Sequence, residues 1–472
     1  MGESAAAAVL VTVGADVAEA TARTQAARRL RLLTGPILPT MLALAGPIIV
    51  VLVVQTLVGV AETYFVSFLG TDALAGVALV FPVLMLMQMM SNGGIGGGVA
   101  SAVARALGAG RKDDADALVL HALIIAVGFG LLFTAGEFLG GRLLYHALGG
   151  EGAVLQAALA YANVVFAGAV LVWIVSLLSA ALRGSGNVTV PAAIIFTGAL
   201  VLIPLSPALT FGIGPFPKLG IAGAGAAVVV YYLIAAVILI GYLRSTRSSL
   251  NLPLDWRRVQ RRLLGDVLKV GGLSALGTLQ ANLTVVLVTG AVGLFGSDAI
   301  AGYGIASRLD YILVPLLFGL GTGVLTMVGV NIGAGQARRA RHIAWVGGLV
   351  AAGCTEAIGL AAAIFPHGWL GIFSSDPAVL AVGSLYLHIV APFYGLFGIG
   401  MLLYFASQGA GRVLWPVLAG TGRLVIAAGI GWLVVARFGG GEAALFVTVA
   451  AASATYGSVT AIAMALGSWG RG

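Results

Sequence analysis

The stretch Gly94-Ile-Gly-Gly-Gly-Val99, running on through Leu107-Gly-Ala-Gly110, returns 225 residues later as Gly319-Leu-Gly-Thr-Gly-Val324 through Ile332-Gly-Ala-Gly335, with eight of 17 positions identical and no gap. At the same offset, Ala181-Leu-Arg-Gly-Ser-Gly186 followed by Pro191 corresponds to Ala406-Ser-Gln-Gly-Ala-Gly411 followed by Pro416. At 226, Leu69-Gly-Thr-Asp-Ala-Leu-Ala-Gly76 corresponds to Phe295-Gly-Ser-Asp-Ala-Ile-Ala-Gly302. Matched blocks in the same order divide the chain into two related halves.

The material of those halves is apolar. Of 472 residues 60% are hydrophobic and 9% charged, with a mean hydropathy of +1.06. A soluble domain carries about a quarter charged residues, so bilayer is the solvent that suits this chain. A spanning helix needs about 20 largely apolar residues. Stretches of that kind run Leu32–Ala61, Ala73–Ala104, Ala117–Gly136, Gly152–Leu182, Gly184–Pro217 and Leu219–Leu243. The second half repeats the rhythm with Val270–Ser297, Tyr311–Ala337, a span near 343–366 interrupted by Glu356, Pro377–Gly411, a span near 413–436 interrupted by Arg423, and Ala443–Gly470. The expected fold is an all-α polytopic membrane protein with twelve transmembrane helices in two pseudo-symmetric six-helix lobes. Its divisions are a cytoplasmic tail over 1–34, an N-lobe over 35–245, an inter-lobe linker over 246–266 and a C-lobe over 267–472.

Charge tests the count independently. With the N-terminus in the cytoplasm, 20 of the 25 Lys and Arg residues fall on that side; Arg142, Lys218 and Arg437 fall outside, and Arg308 and Arg423 lie within spans. A wrong number of helices would scramble this alternation. Both termini are expected in the cytoplasm, in the plasma or inner membrane. The net charge of +8 is explained by these scattered clusters, so no nucleic-acid partner is expected. Glu3, Asp16 and Glu19 break any secretory-signal pattern. Each half has an even number of spans, so the halves are parallel repeats about an axis along the membrane normal, an arrangement that suits a transporter rocking around a central cavity. A channel would want charged rings or selectivity loops, which the sequence lacks.

Catalysis and metal binding find no support. The single Cys354 and five scattered histidines give no metal spacing. The glycines at 94, 96–98, 319, 321 and 323 suit close helix packing, and no Gly-x-x-x-x-Gly-Lys-Ser/Thr is present. No enzyme, metal or cofactor is expected, and the energy for transport must come from an ion gradient rather than from ATP hydrolysed on this chain.

A carboxylate at the centre of a membrane helix costs about 2.5–3.5 kcal/mol, so Glu62, Glu137, Asp310 and Glu356 each need a reason. Gln55, Gly59 and Glu62 share one helix face, a polar stripe that points to a cavity. There, loss of water favours a protonated carboxyl and an approaching cation favours the ionised one, a competition that can drive exchange. The alternative is a carboxyl in the outer interface. Arg308 and Asp310, two apart, face different ways; Asp310 lines either the C-lobe cavity or an outer vestibule. Glu137 reads as interfacial, and Glu356 as either functional or hydrogen-bonded to a neighbouring helix. Met85, Met87, Met89 and Met90, beside Gln88, suit an adaptable binding surface or plain packing. Tyr64, Tyr303, Tyr311 and Tyr394 can stack on organic cations.

The runs Val60-Ala-Glu-Thr-Tyr-Phe-Val-Ser-Phe-Leu-Gly-Thr-Asp-Ala-Leu-Ala75, Ala181-Leu-Arg-Gly-Ser-Gly186 and Phe211-Gly-Ile-Gly-Pro-Phe-Pro-Lys-Leu-Gly-Ile-Ala-Gly-Ala224 resemble the multidrug and toxic compound extrusion (MATE) transporters, over roughly residues 35 to 468. The resemblance implies a secondary antiporter, working as a monomer in the lipid bilayer, that exports amphipathic, often cationic, small organic compounds against protons or sodium ions. It places Glu62 at the family's coupling position in the first helix, where Asp is usual. Leu202 and Ser206 stand where many members have Asn and Asp, and Gln280 stands near an acidic position of helix seven. Glu62 and Asp310 are therefore the candidate cation ligands, with Gln55, Tyr64, Met85, Met89, Gln280, Tyr303 and Tyr394 as candidate cavity residues. The alternative, a flippase for lipids or lipid-linked oligosaccharides, would want basic residues in the cavity, and only Arg308 and Arg423 lie within spans.

Overall fold

Proline at 36 sets where the first span begins. The residue before a proline avoids the α conformation, and the helix over residues 23–34 stops at Gly35-Pro36 before a new one starts. The first spanning helix, α1, is therefore Ile37–Ser67, displaced along the chain from the expected Leu32–Ala61, and it carries Glu62 inside it. The computed structural model of the chain describes Glu19, residues 23–467 and Trp469, without the side chain of Tyr311. Most of the expected tail over 1–34, and Arg471, lie outside the described residues.

Eleven more spans follow. They are α2 Thr71–Gly108, α3 Lys112–Ala147, α4 (Gly152–Ala167 and Ala169–Gly184, bent by 49° at the break), α5 Thr189–Phe211 and α6 Ile221–Arg244. The second set is α7 Arg261–Gly293, α8 Ser297–Gly333, α9 Ala337–Ile364, α10 Pro377–Gly409, α11 Leu414–Ala436 and α12 Glu442–Ala465. With the bent pair taken as one span, the described helices long and apolar enough to cross a membrane number twelve, and the described residues contain no strand. Several helices outrun the charge-free stretches. The 36 residues of α3 reach about 54 Å, well beyond a hydrocarbon core of about 30 Å. Its first turn carries Asp113 and Asp114, which offset the positive end of the helix dipole. The start of α8 at Ser297 rather than Tyr311 places Asp310 more than three turns inside the helix.

The sequence repeat is a repeat of contacts. A Cβ on Gly184 would lie 2.3 Å from the Ala100 carbonyl oxygen, and one on Gly409 would lie 2.4 Å from that of Leu325. These are the same contact 225 residues apart, α4 against α2 and α10 against α8. Gly76 against Ala157 and Ala158 recurs as Gly302 against Val379, Val382 and Gly383. Backbone-to-backbone approach of this kind needs small residues. Bends also correspond, by different means. The π-helical turn Met90–Gly94 in α2 aligns with Pro315 of α8, and the π-helical turn Val425–Ile430 in α11 aligns with Pro204 of α5. Both devices interrupt the regular hydrogen-bond ladder.

The chain divides into two compact units, Met1–Gly35 with Val50–Val267, and Pro36–Ile49 with Leu268–Gly472. The first fourteen-residue piece, 36–49, thus belongs with the second half, unlike the simple split expected from the sequence, while the Glu62 end of α1 belongs with the first. Gly319 and Gly323 of α8 account for this, because Cβ atoms there would press on Ile49, Ala45 and Met41. Within the first unit the stretch between α6 and α7 and the first turns of α7 are held against α2 and α3. The Gln260 N–H donates to His121 Nε2 (3.0 Å), the Asn251 N–H to Asp116 (2.9 Å), and Arg105 and Arg262 pair with Asp266 (2.8 Å) and Asp114 (2.9 Å).

Two of the four intramembrane acids serve the fold. Glu137 accepts from Tyr145, two turns further along the same helix, at 2.8 Å, and fits over Gly141. Glu356 of α9 accepts the Gly395 N–H of α10 at 2.7 Å, while Thr355 donates to the Tyr394 carbonyl at 2.9 Å. Both bonds fall just after a 3-10 turn, Ala391–Phe393, that contains Pro392. The proline removes an N–H and disrupts the ladder, and α9 supplies the replacement partners.

Candidate functional site

Glu62 sits in the next-to-last turn of α1, and its Oε1 is buried without a hydrogen-bond partner. Tyr161 of α4 and Tyr232 of α6 are close enough to feel its charge, and the Tyr231 and Tyr232 rings lie 4.6 Å apart. Gly198 leaves the space that the Tyr231 ring fills, since a Cβ there would come within 2.0 Å of it. Ser206 and Thr210 of α5, in the same unit, bury hydroxyl oxygens that meet no partner.

The second unit builds a counterpart around Asp310 of α8. The Tyr386 hydroxyl donates to Asp310 Oδ2 at 3.0 Å, and Oδ1 is buried without a partner. Tyr394 stands beside the carboxyl with its hydroxyl buried. Tyr303 meets Tyr386 edge-on at 5.3 Å and stacks on Phe446 at 6.3 Å, so three rings from α8, α10 and α12 wall one side. The break in α10 delivers Tyr394, because it immediately follows the 3-10 turn that Thr355 and Glu356 hold. Deeper in this unit Gln280 of α7 donates to Thr421 of α11 at 2.8 Å, leaving its Oε1 buried and unpartnered. Arg423 of α11 lies over the Phe397 ring at 4.7 Å. Arg308, exposed, points the other way from Asp310 and lies over Phe373.

Of the residues singled out from sequence, Asp310, Tyr303 and Tyr394 come together. Gln280 is buried on α7 in the same unit. Gln55 is exposed despite sharing a helix face with Glu62, and Tyr64 is 60% exposed, edge-on to Phe68. Met85 is half-buried and Met89 exposed on α2. Sequence reasoning passed over Tyr161, Tyr232, Tyr386 and Phe446. A usable signal was present for the tyrosines, since a phenol hydroxyl inside hydrocarbon calls for a polar neighbour.

The MatE family model matches residues 47–208 and 274–433, one stretch in each half. The chain belongs to the MATE family of transporters. Among curated relatives, this MATE protein is 27% identical over 402 residues to the FAD transporter of Shewanella oneidensis, covering 84% of this chain and 87% of that one. It is 25% identical to the probable multidrug resistance protein NorM of Thermotoga maritima, covering 78% of each chain. It is also 25% identical to the multidrug export protein MepA of Staphylococcus saprophyticus, covering 80% of this chain and 84% of that one. Among solved structures, a MATE protein in complex with MaD3S superposes with a TM-score of 0.83 at 23% identity, over 93% of this chain and 97% of that one. A Pyrococcus furiosus transporter of the MOP superfamily gives 0.84 at 23%, with the same coverage. These neighbours share the two-lobe, all-helical fold, and the MATE chain described here is a multi-pass membrane protein.

Proposed function

We propose that this protein is a secondary antiporter that exports small amphipathic organic compounds in exchange for protons or sodium ions, with access alternating between the two sides of the membrane. The observation that carries the proposal is the setting of two carboxyls. Glu62 and Asp310 each bury an oxygen without a partner and each lie near two tyrosines supplied by other helices. Glu137 also buries one oxygen without a partner, but its tyrosine comes from its own helix rather than from another. A bare carboxylate at such a place is expensive. A proton, or a sodium ion taking oxygen ligands from the carboxyl and nearby hydroxyls, removes that expense. Release of the cation then has to be coupled to entry of water or substrate, which is the physical basis of exchange.

Relatives named for multidrug export support small organic substrates, and the relative named FAD transporter extends the range towards planar aromatic ones. The distribution of Lys and Arg supports cytoplasmic termini in a plasma or inner membrane. In inverted vesicles, an imposed proton or sodium gradient should drive uptake of a cationic dye. Glu62→Gln, which keeps the shape and removes the exchangeable proton, should lower that rate at least about tenfold at unchanged protein level. Full gradient-driven uptake by this variant would remove Glu62 from the mechanism.

A further inference from the structure

Arg423 forms no ion pair with either candidate carboxyl, and its setting is that of a binding group. It is the tenth residue of the 23 in α11, about 14 Å along the axis from the first, too deep for its guanidinium to reach the headgroups by stretching. Its one close partner is the Phe397 ring, 4.7 Å away; among the described residues it forms no hydrogen bond and no ion pair. Asp310 and Tyr456 feel its charge from a distance. The side chain is half-buried, so its N–H groups are not sealed in the core. A cation on a single aromatic face recovers less than the cost of seating a guanidinium in mid-membrane, and the planar fork of donors matches a phosphate or carboxylate. Around it lie the Phe397 and Tyr456 rings, 6.1 Å apart, and the π-helical turn Val425–Ile430 begins two residues later. Turns of this kind recur at functional sites.

We propose that Arg423 binds the anionic group, a phosphate or a carboxylate, of an aromatic substrate whose ring packs against the half-buried Phe397. The transporter would thus accept aromatic anions beside cations. This rests on the transport reading above and names a substrate class for its second unit. An anionic lipid could offer the same phosphate, but an aromatic face beside the guanidinium suits a ring better than an acyl chain.

The test uses the full chain in nanodiscs of neutral lipid and three soluble probes. Riboflavin and FMN share a ring and differ by one phosphate ester; tetraphenylphosphonium is an aromatic cation. FMN should bind about tenfold or more tighter than riboflavin, the effect of a hydrogen bond to a charged group. Arg423→Gln should erase that preference while leaving riboflavin and tetraphenylphosphonium binding as before, and Arg423→Lys should keep part of it. Equal binding of FMN and riboflavin by the unaltered protein would overturn the proposal. So would equal losses for all three probes in Arg423→Lys, which would make the arginine structural. Binding of phosphatidic acid with no preference for FMN would assign the residue to a lipid phosphate, again against the proposal. If Arg423→Gln fails to fold, the unaltered protein and Arg423→Lys decide. Failure of the antiport reading shows separately, as an intact FMN preference with no gradient-driven movement of any probe.

Discussion

The two candidate carboxyls use their tyrosines differently. At Asp310 the Tyr386 hydroxyl already donates to Oδ2 at 3.0 Å, so it supports the ionised form whenever the cation leaves. A hydrogen bond to a charged group contributes about 1.5–3 kcal/mol. Tyr386→Phe should therefore change the cation concentration for half-maximal coupling about tenfold or more, in transport measured across a series of pH and sodium values. Asp310→Asn should remove that dependence altogether if this carboxyl carries the cation, and the same assay reads it. Around Glu62, Tyr161 and Tyr232 stand ready without a bond. Single Phe variants there should matter less than the double one, because both phenols lie within the field of the same carboxyl.

Among the helices, close approach and broken ladders decide what can change. Gly184 touches the backbone of α2, and a larger side chain must push two helices apart. Gly184→Leu, or its equivalent Gly409→Leu, should cost at least about 1–3 kcal/mol and appear as a lower melting temperature in detergent. Gly59 in α1 has open space where its Cβ would point. Gly59→Ala should be neutral or stabilise by up to about 1 kcal/mol through helix propensity. In α9 and α10, Glu356→Leu would leave the Gly395 N–H unpaired at the Pro392 break, a loss of about 1–3 kcal/mol. Glu356→Gln, which still offers an acceptor, should stay close to the unaltered protein in the same melting experiment. A drop in transport by Glu356→Leu that exceeds its stability loss would show that the break positions Tyr394.

At the scale of the whole molecule, the duplicated plan makes correspondence a guide. The contact of Gly184 on Ala100 reappears as Gly409 on Leu325, and Gly76 reappears as Gly302, so glycine spacing carried the packing of both halves in plain view. The chemistry is not duplicated. The carboxyls come from α1 in one unit and α8 in the other, which are not equivalent helices. Topology gives a direct check: reporters fused after residue 245 and at the C-terminus should both be active only on the cytoplasmic side, and an extracytoplasmic signal from either would break the twelve-span count.

The number of spans, the repeat and the unusual placement of Glu62 were legible in the amino-acid order, because hydrophobic length, glycine spacing and charge alternation are properties of nearby residues. Gln55 shows the limit of such reading. Helical period placed it with Glu62, yet the bundle exposes one and buries the carboxyl of the other. The partners of the carboxyls were beyond reach for the same reason. Tyr161 and Tyr232 lie about a hundred residues or more from Glu62, and Tyr386 lies 76 from Asp310. Only helix packing, which turns particular faces inward, decides which of many intramembrane tyrosines meets an acid and that Arg423 meets an aromatic face instead.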